Sequence, residues 1–212
     1  MLLTLQVGMG FPSGDYGSKD ITNDSAGYAN SGLNLGLSAA YRFTKSFAIS
    51  AMARFQSNSL DGDAMSHVFS KQYPGIDWKV FGDPWKMWIY VAGPQFEIPI
   101  DEKQRVSGCI RAMAGAINAT SPKLQVTATK NGASLWVNQS SVSALAFTYL
   151  LSFGIKFKLN TGHILIFADY QNAKPLFEGA VITSSTNSNT SQTSFRQGMN
   201  TLTAGIGIGL DF

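Results

Sequence analysis

Charge is scarce in this chain. Only 14% of its 212 residues are Asp, Glu, Lys or Arg, against about 25% in an ordinary water-soluble domain. A single cysteine, Cys109, excludes an intrachain disulfide and any multi-cysteine metal site. Long apolar runs are missing too. The longest, Ala144 to Leu151, is broken by Thr148 and is far shorter than the ~18–20 residues of a membrane-spanning helix. The 16 basic and 13 acidic residues form no basic cluster, so nucleic acid is excluded as a partner. The opening Met1-Leu-Leu-Thr-Leu-Gln6 has neither a basic n-region nor an apolar h-region; the expectation is a mature chain whose export signal has been removed. What the chain has in plenty is glycine, with 21, and phenylalanine, with 14.

These residues are arranged with period two. At the end of the chain Leu202, Ala204, Ile206, Ile208, Leu210 and Phe212 alternate with Thr203, Gly205, Gly207, Gly209 and Asp211. Strict alternation predicts a strand, because successive side chains point to opposite faces. Seven more segments read the same way: Leu3–Met9, Ser31–Phe43, Phe47–Gln56, Trp88–Ile98, Arg105–Ala116, Ala144–Leu159 and Ile164–Tyr170. Short links at Thr44–Ser46, Asp101–Gln104 and Asn160–Gly162 alternate with long polar links at Gly10–Asn30, Asn58–Pro84, Ile117–Val142 and Gln171–Gly198. Eight up-and-down strands with both termini on the short-turn side need that pattern. No linker interrupts the series, so residues 1–212 are read as a single domain.

The two faces decide the environment. The polar face is mostly Gly, Ser, Thr, Asn and Gln, where a water-facing sheet would carry many Lys and Glu. The apolar face is long and rich in Phe, Leu and Ile. A tilted strand needs about 9–11 residues to cross a bilayer. Apolar side chains facing lipid, with small polar residues filling a narrow lumen, satisfy both observations. Closure is then compulsory, since an open edge in hydrocarbon leaves backbone groups unpaired. The fold class expected is all-β: a closed antiparallel eight-stranded transmembrane barrel with three short periplasmic turns and four long extracellular loops.

At both ends the chain resembles a known family. The terminal Ile206-Gly-Ile-Gly-Leu-Asp-Phe212 and the opening Val7-Gly-Met-Gly-Phe-Pro-Ser-Gly-Asp-Tyr16 are similar to those of the small eight-stranded outer-membrane β-barrels of Gram-negative bacteria, which include the barrel of outer membrane protein A. The resemblance covers essentially the whole chain. It implies residence in the cell outer membrane, in contact with lipid and lipopolysaccharide. It also implies an assembly signal at Leu210 and Phe212, read by the barrel-assembly machinery.

Arg42, Arg54, Arg105, Arg111, Lys156 and Lys158, with Glu97, Asp169 and Asp211, fall on the expected lumen face. One reading is a gated ion path. The favoured one is a network that fills the lumen, because eight strands leave room only for side chains and unpaired buried charge is costly. Tyr41, Phe43, Phe47, Phe96, Phe157 and Phe212 are expected as an aromatic girdle at the short-turn rim. Phe55, Trp85, Trp88 and Tyr149 are expected at the long-loop rim. The loop residues Trp78 and Trp136 either pack within the loops or contact a partner.

Other chemistry is thin. His163 falls at a short turn, and His67 lies beside Ser66 and Ser70, the residue types a lipid-modifying barrel would pair. Asp61-Gly62-Asp63 suits a solvated turn better than calcium. Thr183–Ser194 reads as a hydrated low-complexity segment, and Asp24-Ser25-Ala26 resembles an O-glycosylation site. No cofactor or metal is expected, and no enzyme. The function expected is a structural or interaction barrel acting through its loops, as a subunit of a larger outer-membrane complex with another outer-membrane protein. A small-solute channel is the alternative, and a lipid-modifying enzyme the further one.

Overall fold

Each alternating segment becomes one stave of a closed wall. In the computed structural model, which describes residues 1–20, 22–23, 25–103, 105–186 and 190–212, the strands run β1 (Leu2–Ser13), β2 (Ala29–Arg42), β3 (Phe47–Leu60), β4 (Asp77–Gly82), β5 (Trp85–Pro99), β6 (Val106–Thr120), β7 (Leu124–Lys130), β8 (Ala133–Gln139), β9 (Ser143–Lys158), β10 (Gly162–Ala173), β11 (Leu176–Ser184), β12 (Ser191–Arg196) and β13 (Met199–Asp211). Helix α1 (Gly62–Gln72) follows β3. Asp24 of the glycosylation-like triplet, Gln104 of the second short link and residues 187–189 of the low-complexity segment lie outside the described residues.

The barrel closes in the order β1-β13-β10-β9-β6-β5-β3-β2. Its seam joins the chain ends: β1 and β13 pair from Leu2↔Asp211 to Ser13↔Asn200. Beyond them, Met1 N donates to Phe212 O at 2.7 Å and Phe212 N donates to Met1 O at 2.8 Å. The wall strands are 12 to 16 residues long, so each spans the ~9–11 residues a bilayer requires and continues past it. Leu5, Leu37, Ile49, Tyr90, Leu145, Phe153, Ile166 and Ile208 are exposed on the outside, while Thr4, Ser38, Asn34, Gln56 and Thr203 are buried inside. An exterior this apolar is a surface for hydrocarbon. None of the described helices is long and apolar enough to cross a membrane; the crossing is made by strands.

The long links are not the polar loops expected from composition. Beyond the barrel mouth three of the four, all but Gly10–Asn30, build a second, five-stranded sheet in the order β12-β11-β8-β7-β4. Even the low-complexity segment pairs, with Val181↔Gln192 and Ile182↔Ser191 in one hairpin and Ile182↔Gln139 tying it to β8. The turn between β7 and β8 explains part of this. Asn131 and Gly132 both take positive φ, 50° and 81°, which is the backbone of a tight I′ hairpin and the reason for Asn-Gly there. Helix α1 starts at Asp61, whose Oδ1 accepts from Ala64 N at 2.9 Å. Asp61 is thus a helix N-cap.

Candidate functional site

The lumen has two unlike halves, and period two explains both. On β1, β2, β3, β10 and β13 most inward side chains are polar or glycine, with Leu2, Met52, Leu165 and Phe167 buried among them. At the short-turn end His163, buried, lies between Thr4 Oγ1 at 2.9 Å and Asp211 Oδ1 at 2.6 Å. A Cβ at residue 209 would overlap the His163 ring, so Gly209 makes room for it. Gly205 does the same for Phe167, whose Cζ would sit 2.7 Å from such a Cβ. Next, Glu97 accepts from Arg42 Nη2 at 2.8 Å, from Lys156 Nζ and from Gln95 Nε2 at 2.9 Å. At mid-height Arg54, fully buried, pairs with Asp169, and Arg111 Nη2 stands 3.9 Å from the same carboxylate while bonding Ser152 Oγ at 2.8 Å. Above them Asn34 donates to Gln56, and Gln56 donates to Asn58, at 3.1 and 2.7 Å.

Toward the long links the inward face of β5, β6 and β9 is apolar instead, although the same strands carry Gln95, Glu97, Arg111, Ser152 and Lys156 toward the short turns. Met87, Ile89, Val91, Met113, Ile117 and Leu150 are buried there, joined by Met199, Tyr16, Trp85 and Phe177 toward the long-link mouth. The expected lumen of small polar residues therefore fails where these three strands approach the long links. The signal was present in the sequence: on β5, Trp85, Met87, Ile89 and Val91 are apolar between the equally apolar Trp88 and Tyr90, so both faces of this strand meet apolar surroundings.

The structure sorts the expected site residues. Arg42, Glu97, Lys156 and Asp211 share one connected set of contacts, and Arg54, Arg111 and Asp169 share a second. Arg105 and Lys158 belong to neither. Arg105 is exposed in the turn before β6, where pairing begins only at Val106↔Phe157, and Lys158 is exposed at the end of β9. Among the aromatics, Tyr41, Phe43, Phe47 and Phe96 form a chain of ring contacts at the short-turn rim, with centroids 5.1, 5.9 and 5.3 Å apart. Phe157 is exposed on the same outer wall, and Trp88 packs on Phe55 at 5.0 Å on the outside. Trp85 is a correction. Its parity places it inside, 4% exposed, with its indole N–H donating to Gly27 O at 3.1 Å. Leu210 and Phe212 point outward, Phe212 being 77% exposed.

In the loop layer Trp78 and Trp136 part company. Trp78 packs against Phe69 and Tyr73, both on the α1 side, at 5.3 and 5.9 Å. Trp136 is 39% exposed. It shares one face of the sheet with Phe81, because Trp136↔Thr127, Thr127↔Lys79 and Gln125↔Phe81 are paired. Leu135 and Val137, also exposed, lie on the other face.

Two arrangements resemble catalytic ones. Asp211–His163–Thr4 has the bond order of a nucleophile triad. However, Thr4 faces a void of only about 20 Å³, room for roughly one water, so a substrate has no access. Ser66 Oγ is engaged with Gly62 O at 2.7 Å and Val80 N at 2.9 Å, stapling α1 to β4, while His67 is exposed next to it. Neighbours i and i+1 on a helix do not face each other. Among the described residues no His, Cys, Asp and Glu group could hold a metal ion.

Comparison with known proteins matches this fold. No family model and none of the curated proteins matches the sequence. A major outer membrane protein from Thermus thermophilus superposes with a TM-score of 0.53 and 12% identity, over 100% of this chain and 99% of that one. The outer membrane protein OprG from Pseudomonas aeruginosa gives 0.50 and 13%, over 100% and 96%. Neisserial surface protein A gives 0.49 and 10%, over 100% and 96%. The chain has the fold of the small eight-stranded outer-membrane β-barrels.

Proposed function

We propose that this protein is an integral outer-membrane barrel, closed to solutes, that holds an ordered protein-binding platform on the extracellular side. The observation that carries this reading is the five-stranded sheet, capped by α1 on a rigid barrel. Hydrated connectors have no need of such a structure. Binding usually sits on loops that a scaffold positions, and this sheet leaves Phe81 64% exposed with Trp136 on the same face. Aromatic residues are the preferred anchors of protein interfaces. The mixed ionic and apolar filling of the lumen supports closure. Outward Leu210 and Phe212 suit recognition by the assembly machinery, with lipid and lipopolysaccharide around the wall.

One observation favours the small-solute reading. A cavity of about 290 Å³, bordered by Tyr28, Leu60, Trp85, Leu124 and Phe195, lies between barrel mouth and sheet. Planar-bilayer recording separates the two readings: the closed barrel gives no stable conductance steps, and sustained large steps favour the conduit. The platform is tested by gentle detergent extraction of the native protein. Phe81→Ser with Trp136→Ser should release a co-purifying protein while the barrel still shifts on heating in SDS gels. The same partner content in wild type and variant would overturn it.

A further inference from the structure

The short-turn end of the barrel carries a feature that neither the platform nor the sealed lumen uses. A recess of about 390 Å³ opens there. Four of its lining residues are cationic: Arg42, Lys45, Lys156 and Lys158; one, Glu97, is acidic. Glu97 is already shared, since Arg42 and Lys156 both bond its Oε2. Asp211, the next carboxylate, bonds His163 and lies 3.9 Å from Arg42 Nη1. Four cations therefore face two carboxylates, and Lys45 and Lys158 have no acidic partner among the described residues. Arg42 Nε is buried and finds no acceptor there either. Asp101 and Glu102 lie in the neighbouring short link, where Asp101 Oδ1 is engaged by Val106 N at 2.7 Å.

An excess of donors around an open recess calls for an anion with several oxygens. Arg and Lys together match a phosphate, the first by its fork and the second as a point charge. The surroundings add a second requirement. Phe43 lines the recess, is 60% exposed, and continues into the rim aromatics Tyr41, Phe47 and Phe96. Aromatics of this kind sit at the level of lipid headgroups. A molecule whose phosphate occupied the recess could lay an acyl chain along that strip without crossing water.

We propose that the short-turn mouth is a phosphate-binding site. Its ligand chemistry is a phosphate group carrying net negative charge, supplied by an anionic glycerophospholipid of the adjoining leaflet or as free phosphate. The site lies at the opposite end from the platform and does not depend on it.

The test uses the full-length barrel, purified in a non-ionic detergent and checked by its heat shift. Lys45→Gln with Lys158→Gln is the informative variant, because both side chains are exposed and neither belongs to the buried ion pairs. Native mass spectrometry counts phosphatidylglycerol and phosphatidylcholine of identical chains retained by each protein. Wild type should prefer phosphatidylglycerol, and the variant should retain it about thirtyfold less, as the loss of two lysines near an anionic headgroup implies. Lys130→Gln, at the far end, should change nothing. A second arm follows ³¹P line broadening of inorganic phosphate. Broadening that the variant abolishes, without any lipid preference, assigns the site to free phosphate. Equal retention of both lipids together with no phosphate broadening overturns the proposal, as does a variant indistinguishable from wild type in both arms.

Discussion

Arg54–Asp169 and Lys19–Asp61 are the same kind of contact in two different media. The first lies in the lumen with both side chains 0% exposed; the second lies in the loop layer, at 45% and 18%. Water screens the loop pair and competes for its hydrogen bonds, so such pairs contribute about 0–1 kcal/mol. In the lumen each ion depends on its partner for the solvation it has lost. The apolar residues show the same division. Ile166 is half exposed and belongs outside, because its solvent is lipid, whereas Trp136, exposed as well, faces water and suits a partner. Exposure has no fixed meaning in this molecule until the medium is named.

The largest expected effect comes from breaking the lumen pair. Asp169→Ala leaves Arg54 and Arg111 sharing a buried site without a carboxylate, and should cost about 3–5 kcal/mol. Urea unfolding of the barrel in detergent measures it, and a loss below that of a surface pair would mean that water reaches Arg54. Next comes the wall. Ile166→Arg places a charge against hydrocarbon and should cost about 2–4 kcal/mol near mid-bilayer. Thr127→Arg on the loop sheet should stay within about 0.5 kcal/mol. Similar losses at both positions would remove the distinction between the two media.

The smallest effect sharpens the comparison from the loop side. Asp61→Ala should destabilise α1 by about 1 kcal/mol through its lost cap, seen as faster hydrogen exchange in residues 62–72 and no change in the barrel. Its pH dependence has a definite sign. The hydrogen bond from Lys19, then that from Ala64 N, holds the Asp61 carboxyl below its ordinary value of 3.8. A depressed carboxyl contributes stability that is complete above the unfolded value and disappears as pH falls through the folded one. Protection of α1 should therefore hold at neutral pH and fade only below about 3.8.

The eight strands, their outward faces and the short turns were legible because lipid imposes one rule on every position: alternate, and close. That rule is local, so Leu202 to Phe212 announce their strand without help from any other part of the chain. The lumen was legible only in part. Arg54, Arg111 and Asp169 could be assigned to the inner face by parity, but their meeting depends on β3, β6 and β10, which are brought together by closure. Trp85 was misjudged because its residue type suggested a membrane interface, although its parity with Met87 and Ile89 pointed inward. In the loops, Asn131-Gly132 signalled a hairpin, whereas the pairing of β11 with β8 has no local signature. Composition and period two determined the barrel and its environment by themselves. Tertiary structure alone decided which ions share a partner, which tryptophan faces water and where four cations surround one recess, because each depends on residues that only barrel closure and loop pairing bring into contact.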